Sequence, residues 1–347
     1  MRFYFFTVDH GSPENAGYEH CLLALAEGLI ELGHTVAGNI NYWPINNSWI
    51  IKKTDESIED FDAILISNEW IHRYKRLPDN YIKAQKPKKI YIDASDGWRT
   101  DAIIDNFWPS DLILRTHFIQ THHYHKKVKP WAFGLTNRLI SVFNEVKPLH
   151  QRSQSILCNF RVGHPVRDYF INQFQKVVPE NFYWDTTIDT TIPDDDLDYL
   201  YWKLTGKRHY PQYFKRLKES QLSLAFGGYF TPTYSIAPSS IFGRIHYKTI
   251  QTLKSTTHTL GQFDSWRFWE SLVSGAITVH VNFNEYNCIF PIQPNPETDY
   301  LGFLEKYSKY YINKYINYLI NNNNGRNWAL KYYSPKATAE RFLEWGF

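Results

Sequence analysis

The sequence predicts an α/β protein built from two domains in series. Three observations lead there. At 347 residues the chain exceeds what one hydrophobic core comfortably holds. Short apolar runs of strand length alternate with stretches of helical periodicity from one end to the other. Midway, VKPWAFGLTNR (128–138) combines Pro, Gly and Trp without a period, as suits a passage between domains. The expected division is a first domain over 1–130, a linker over 131–150, a second domain over 151–330 and a terminal helix over 331–347.

In chain order, RFYFFTV (2–8) is a continuous apolar run and reads as a buried parallel strand. After the polar turn DHGSPENAG, YEHCLLALAEGLIELG places Leu22, Leu23, Ala26, Leu29 and Ile30 at helical spacing and stops at Gly33. HTVAGNI resumes as a strand. This β-α-β unit leaves its loop at the carboxyl end of the first strand, where open α/β sheets bind ligands. DAILIS (62–67), KKIYIDAS (88–95) and DLILRT (111–116) are three more strands, followed by the polar loops NEW, DGWR and HFIQTHHYH.

The second series starts at SILCNF (155–160), with RVGHPVRDYFINQFQKVV as loop and helix, NFYW (181–184) as a strand and DTTIPDDDLDYL as an acidic loop. QLSLAFGG (221–228) is a strand, IHYKTIQTLKS a helix and THTL a short strand. DSWRFWESLVSG is the next helix and AITVHV the strand after it. The segment YLGFLEKYSKYYINKYINYLINNNNG reads as helical throughout, and SPKATAERFLEWGF is a helix capped by Ser334 and Pro335.

Composition narrows the class. Hydrophobic residues at 43% and aromatics at 17% are ample for packed cores and exclude a disordered chain. A net charge of +3 permits an anionic ligand without marking a nucleic-acid binder. Cys21, Cys158 and Cys288 are few, odd in number and far apart, so neither a disulfide framework nor a zinc spacing follows. The start MRFYFFTVDHG reaches Asp9 and His10 too soon for a signal peptide, and no uncharged apolar run of membrane-spanning length occurs. A cytoplasmic protein with at most peripheral membrane contact is expected; nothing speaks to its oligomeric state.

The chemistry gathers on DSWRFWESLVSGAITVHV (264–281). Arg267, Glu270 and Ser274 share one helix face, embedded among Trp and Phe rather than on a polar surface. The polar amino end of such a helix offers free N–H groups to an anion, Arg267 adds a bidentate donor for phosphate, and Glu270 suits the hydroxyls of a ribose. Asp264 and Ser265 at that amino end, and Tyr247 on the preceding helix, join this candidate donor-binding set. PDDDLD (193–198) imitates an Asp-x-Asp metal motif but reads as a solvated acidic loop. His117, His122, His123 and His125 read as surface histidines rather than metal ligands. No metal site is expected.

The pattern R-x-x-E-[SA]-L-x-[SA]-G running into a short hydrophobic strand resembles the donor-site signature of GT-B nucleotide-sugar glycosyltransferases, exostosin-like enzymes over 255–281 and phage DNA glucosyltransferases over more of the chain. The resemblance implies two Rossmann-like domains facing a cleft, acceptor side first and donor side second, with the terminal helix packing back on the first domain. In the phage enzymes a strand ends in Ser-Phe-Arg followed by a further Arg; here the match is Asn159-Phe160-Arg161, with Arg167 beyond it at a different spacing. That implies contact of Arg161 and Arg167 with the donor diphosphate.

An inverting transferase also needs a base. Carboxyl-edge candidates are Asp9, His10, Glu14, Glu69, Asp93 and Asp96. The resemblance matches Asp96 to the family's catalytic Asp, and Asp9, His10 and Glu14 are its rivals. Retaining members often carry Glu-x7-Glu, whereas Gln262 stands eight before Glu270, which favours inversion. The expected reaction is therefore metal-independent sugar transfer from a nucleoside-diphosphate sugar, with no cofactor, onto an acceptor hydroxyl of a bacterial surface glycan or lipid-linked saccharide. Transfer onto modified DNA and a non-catalytic sugar- or nucleotide-binding protein are the alternatives.

Overall fold

The computed structural model describes residues 1–45, 47–95, 109–160, 165–231 and 259–347. Alternation of strand and helix resolves into two sheets. In the first half, β1 (Arg2–Phe6), β2 (Thr35–Gly38), β3 (Tyr42–Ile45), β4 (Ser48–Lys53), β5 (Ala63–Ser67), β6 (Lys88–Asp93), β7 (Leu112–Arg115), β8 (Phe118–Ile119) and β9 (Val128–Pro130) occur. All but β8 form one sheet in the order β3-β4-β2-β1-β5-β6-β7-β9, parallel except for the β3–β4 hairpin. In the second half, β10 (Ser153–Leu157), β11 (Tyr183–Asp185), β12 (Ser220–Leu224), β13 (Tyr229–Thr231), β14 (Thr259–Gly261), β15 (Ile277–Val281), β16 (Cys288–Ile289) and β17 (Leu301–Phe303) follow. Their main sheet is all parallel, in the order β11-β10-β12-β15-β17.

β1 shows why such runs form central strands. Phe3 and Phe5 enter one apolar cluster and Tyr4 and Phe6 the other, so both faces are buried, as a parallel sheet covered on both sides requires. Each sheet has its switch point where chain order reverses: between β1 and β5 in the first, between β10 and β12 in the second. Ligand crevices open at the carboxyl ends of such strands.

The described helices are α1 (His20–Glu31), α2 (Asn68–Tyr74), α3 (Asp79–Lys83), α4 (Asn137–Val142), α5 (Pro165–Val177), α6 (Asp196–Leu204), α7 (Pro211–Glu219), α8 (Trp266–Val273), α9 (Lys309–Asn322), α10 (Gly325–Tyr333) and α11 (Pro335–Gly346). None is long and apolar enough to cross a membrane. As the resemblance implied, α11 returns to the first half and packs on α1. A Cβ built on Gly28 would lie 1.9 Å from the Pro335 carbonyl oxygen, so only glycine permits this approach. Phe342 meets Phe3 of β1 edge-on at 5.9 Å, and Lys88 of β6 donates to the Gly346 carbonyl. The antiparallel pair β8–β16 ties the halves together a second time.

Several elements depart from expectation. The loop NEW is the first turn of α2, because Ser67 caps it by accepting from the Glu69 amide at 3.1 Å. The acidic loop ends in α6, where Asp195 caps the helix through the Leu197 and Asp198 amides. Leu301–Phe303, expected in a helix, instead forms β17 and pairs in parallel with β15. The linker contains α4. His117 is no surface histidine: it is 2% exposed and accepts the Asp264 amide at Nδ1, 3.2 Å away. The expected helix at 245–255 lies outside the described residues.

A candidate donor and acceptor cleft between the two sheets

The helix that carries the sequence motif is built as its residues dictate. Ser265 caps α8 by accepting from the Phe268 amide, and Phe268, Trp269, Leu272 and Val273 are fully buried. Gly275 takes φ +76 and turns the chain into β15. Asp264, at 2% exposure, is wholly engaged: it accepts from the Trp269 indole at 2.6 Å and from the Phe133 amide at 2.7 Å. Burial raises its pKa to about 7, against the pull of those two bonds. Asp264 thus locks the linker to the amino end of α8.

Arg267 and Arg167 converge. Their guanidinium carbons lie 4.8 Å and 4.9 Å from the centre of the same Phe160 ring, just beyond β10 at the switch point. Arg267 donates to the Asn159 side chain at 3.3 Å, while its buried Nε finds no partner among the described residues. Arg167 donates to the Phe226 carbonyl at 3.0 Å; desolvation, with Arg267 nearby, lowers its pKa to about 10. Two cations held against one ring form an arrangement that an anion would relieve. Glu270 is only 6% exposed and accepts from the Tyr213 hydroxyl at 3.0 Å. Arg161 and Tyr247 lie outside the described residues, as does Asp96.

Across from α8, a cavity of about 240 Å³ opens at the switch point between β1 and β5. The first half contributes Tyr18, Glu19 and His20 from the start of α1, Ser67, Asn68, Glu69 and His72 from β5 and α2, and Ser95 after β6; the linker contributes Phe133. From the second half come Arg208 and Trp266. Trp266 packs 4.6 Å from His20 and 4.9 Å from Tyr18, with the Arg208 guanidinium 5.4 Å from its ring. Trp266, the residue before Arg267 in α8, is thus part of the cavity wall.

The polar groups in this wall are specifically wired. His20 Nε2 donates to the Gly134 carbonyl at 3.0 Å, so Nδ1 is the unprotonated nitrogen and accepts from the Tyr18 hydroxyl at 3.1 Å. Burial lowers its pKa to about 4 and keeps it neutral. Glu19, 3% exposed, accepts from the Val8 amide and the Ser67 hydroxyl, each at 2.6 Å, and burial raises its pKa to about 8. Asp9 and His10 sit on the loop after β1 but do not line the cavity. Asp9 is exposed. His10 stacks on Tyr42 at 4.2 Å, with its pKa pushed down to about 4 by burial. Asp93 is fully buried and ion-paired with Arg115.

The motif's local spacing made Arg267 and Glu270 visible in the sequence. Arg208, Trp266, Glu19 and Asn68 were missed. Each joins the cavity wall only through the fold, and none stands in a local motif that marks it in the sequence.

Two Rossmann-like halves facing a cleft, with a terminal helix crossing back, define a GT-B fold. No protein-family model matches the chain, and no curated protein matches its sequence. Solved structures do match it end to end. An alpha-glucosyltransferase in complex with UDP and a 13-mer DNA containing an HMU base is 12% identical, covers 99% of this chain and 98% of its own, and superposes with a TM-score of 0.52. The complex of an alpha-glucosyltransferase with UDP and a 13-mer DNA containing a central A:G mismatch is 13% identical, with coverage of 100% and 99% and a TM-score of 0.54. At these identities the likeness establishes the fold.

Proposed function

We propose that this chain is a glycosyltransferase that moves a sugar from a nucleoside-diphosphate donor to an acceptor hydroxyl. The observation that carries the reading is the pair Arg167 and Arg267 held against the one Phe160 ring at the switch point of the second sheet, the Arg267 Nε having no partner among the described residues. The leaving diphosphate gains charge as the glycosidic bond breaks, and preorganised arginines stabilise it most where water is excluded. Because those cations do this work, we propose a metal-independent reaction without cofactor. Arg161 belongs to the same donor set by its motif position, and Ser265 borders it as the cap of α8. We assign Glu270, which accepts from the Tyr213 hydroxyl, to the nucleoside end of the donor. The fold's solved neighbours contain UDP, which makes UDP the first donor nucleotide to test.

Thermal-shift titration with UDP, GDP, ADP and CMP tests the donor site. Stabilisation by one nucleotide diphosphate, weakened roughly 10-fold or more in Arg267→Ala, is expected, since a charge-assisted contact is worth about 1.5–3 kcal/mol. No stabilisation by any nucleotide would remove the donor site. Transfer undiminished by EDTA checks metal independence. We propose inversion because Gln262 replaces the first glutamate of the retaining pattern; the anomeric configuration of the product, read by NMR, decides it. The family resemblance implies Asp96 as the base, but Asp96 lies outside the described residues, so we assign the base from the carboxylates of the cavity wall. The protein is proposed to act in the cytoplasm.

A glycan or lipid-linked saccharide acceptor was the expectation from sequence. A specific observation favours modified DNA instead. The solved neighbours hold 13-mer DNA, and Arg73, Lys75 and Arg76 are exposed at the outer end of α2, whose inner end lines the cleft. Incubation with UDP-glucose and DNA bearing 5-hydroxymethyl pyrimidines, beside a glycan panel, separates the two acceptors.

A further inference from the structure

We infer that Glu69 is the group that takes the acceptor proton, an assignment resting on the transferase reading above. The first half presents several carboxylates near the cleft, and the structure spends most of them elsewhere. Asp93 is fully buried against Arg115 and Ser95. Glu19 has both oxygens engaged, by Val8 and by Ser67. Glu14 is paired with Lys207 at 2.7 Å, and Asp9 lies outside the cavity wall. Glu69 is the one remaining carboxylate in that wall among the described residues.

Its side chain is 38% exposed. Its nearest polar neighbours are the Asn68 amide nitrogen at 3.4 Å, a marginal hydrogen bond, and His72 Nδ1 at 3.8 Å. The carboxylate is thus held in place yet keeps lone pairs open to a ligand. Its backbone is fixed from below: the Ser67 hydroxyl donates to buried Glu19 and accepts the Glu69 amide, so the start of α2 cannot drift. Trp266 and Arg208 share the cavity wall with Glu69, and Trp266 immediately precedes Arg267 in α8. A hydroxyl held in that cavity can reach Glu69, and the step along α8 from Trp266 to Arg267 connects the cavity to the donor arginines.

In the step this implies, the acceptor oxygen forms a bond to the anomeric carbon as the bond from that carbon to the diphosphate breaks. Glu69 takes the hydroxyl proton, and the diphosphate leaves with the bonding electron pair toward Arg267 and Arg167. No further reactant is required.

The test uses slow hydrolysis of UDP-glucose with water as acceptor, alongside UDP titration, on wild type, Glu69→Gln and Glu69→Ala. UDP affinity is expected to be unchanged in both variants. Turnover should fall by roughly 100-fold or more, the acidic limb of the wild-type kcat profile should vanish in Glu69→Gln, and formate should restore turnover to Glu69→Ala. A Glu69→Gln enzyme with wild-type turnover overturns the assignment alone, and so does a loss that formate does not rescue. A wild type that binds none of UDP, GDP, ADP and CMP, and releases none of them from the corresponding nucleotide sugar, overturns the transferase reading and this assignment together; if another nucleotide binds, its sugar conjugate replaces UDP-glucose in the same assay.

Discussion

Glu19 shows how a single buried residue couples the cleft to pH. It lies beneath the cavity with two hydrogen bonds, yet desolvation dominates and its pKa rises from 4.5 to about 8. The folded state therefore keeps a proton that the unfolded chain releases in the usual carboxylate range. This contribution to stability is complete below about pH 4.5 and is lost as pH climbs toward about 8. Glu27, also buried and raised to about 8, acts in the same direction. His20 and His209 act oppositely: lowered to about 4 and about 3, they cost stability as pH falls below 6.5. Each pKa unit is worth about 1.4 kcal/mol. In Glu19→Gln the amide oxygen can still accept from Val8 while its NH2 donates to Ser67. The melting temperature of this variant, followed from about pH 5 to about pH 9, should decline less than that of wild type. Parallel curves would mean that Glu19 is ionised in the folded protein.

At the level of elements, the junction of α1 and α11 inverts an ordinary rule. Replacing a mid-helix glycine by alanine normally stabilises by about 1 kcal/mol. At Gly28 the added methyl would meet the Pro335 backbone, which is not a flexible side chain and must move. Gly28→Ala should therefore destabilise by about 1–3 kcal/mol, seen as a lower melting temperature; a rise would show that α11 does not dock as described. The helix itself was legible from its period and from Gly33 at its end, as were β1, β5, β6, α8 and β15, where apolar residues predominate over the length of an element. What escaped had weak local signals. α2 carries charge at three of its seven positions if His72 is counted, and only the Ser67 cap explains its start. β17 has three residues, and its pairing with β15 is a tertiary fact. The proposed donor residues Arg267 and Glu270 stood out in the sequence because they lie one helical turn apart, within a single motif. Of the proposed acceptor wall only Glu69 stood among the carboxyl-edge candidates; His20, Arg208 and Trp266 were not legible, because they line one cavity only once the two halves are folded together.

Across the whole molecule, a modest net charge of +3 conceals an uneven surface. Lys52 and Lys53, the group Arg73, Lys75 and Arg76, and Lys83 and Lys86 are all exposed on the first half. Among these, the α2 group is placed to matter for the acceptor. Arg73 also donates to the Asp9 and Asn15 carbonyls and so anchors the loop after β1, whereas Lys75, in a left-handed C-cap, and Arg76 project beyond the helix. If DNA is the acceptor, its phosphates should be neutralised here, one counterion being released per contact. The double variant Lys75→Gln, Arg76→Gln leaves Arg73 and the loop intact. It should leave UDP binding unchanged while reducing the slope of log affinity for DNA against log salt by about 2. The same variant should not alter transfer to a neutral saccharide. An unchanged salt slope would place the DNA path away from α2, and selective loss of saccharide transfer would restore the glycan acceptor.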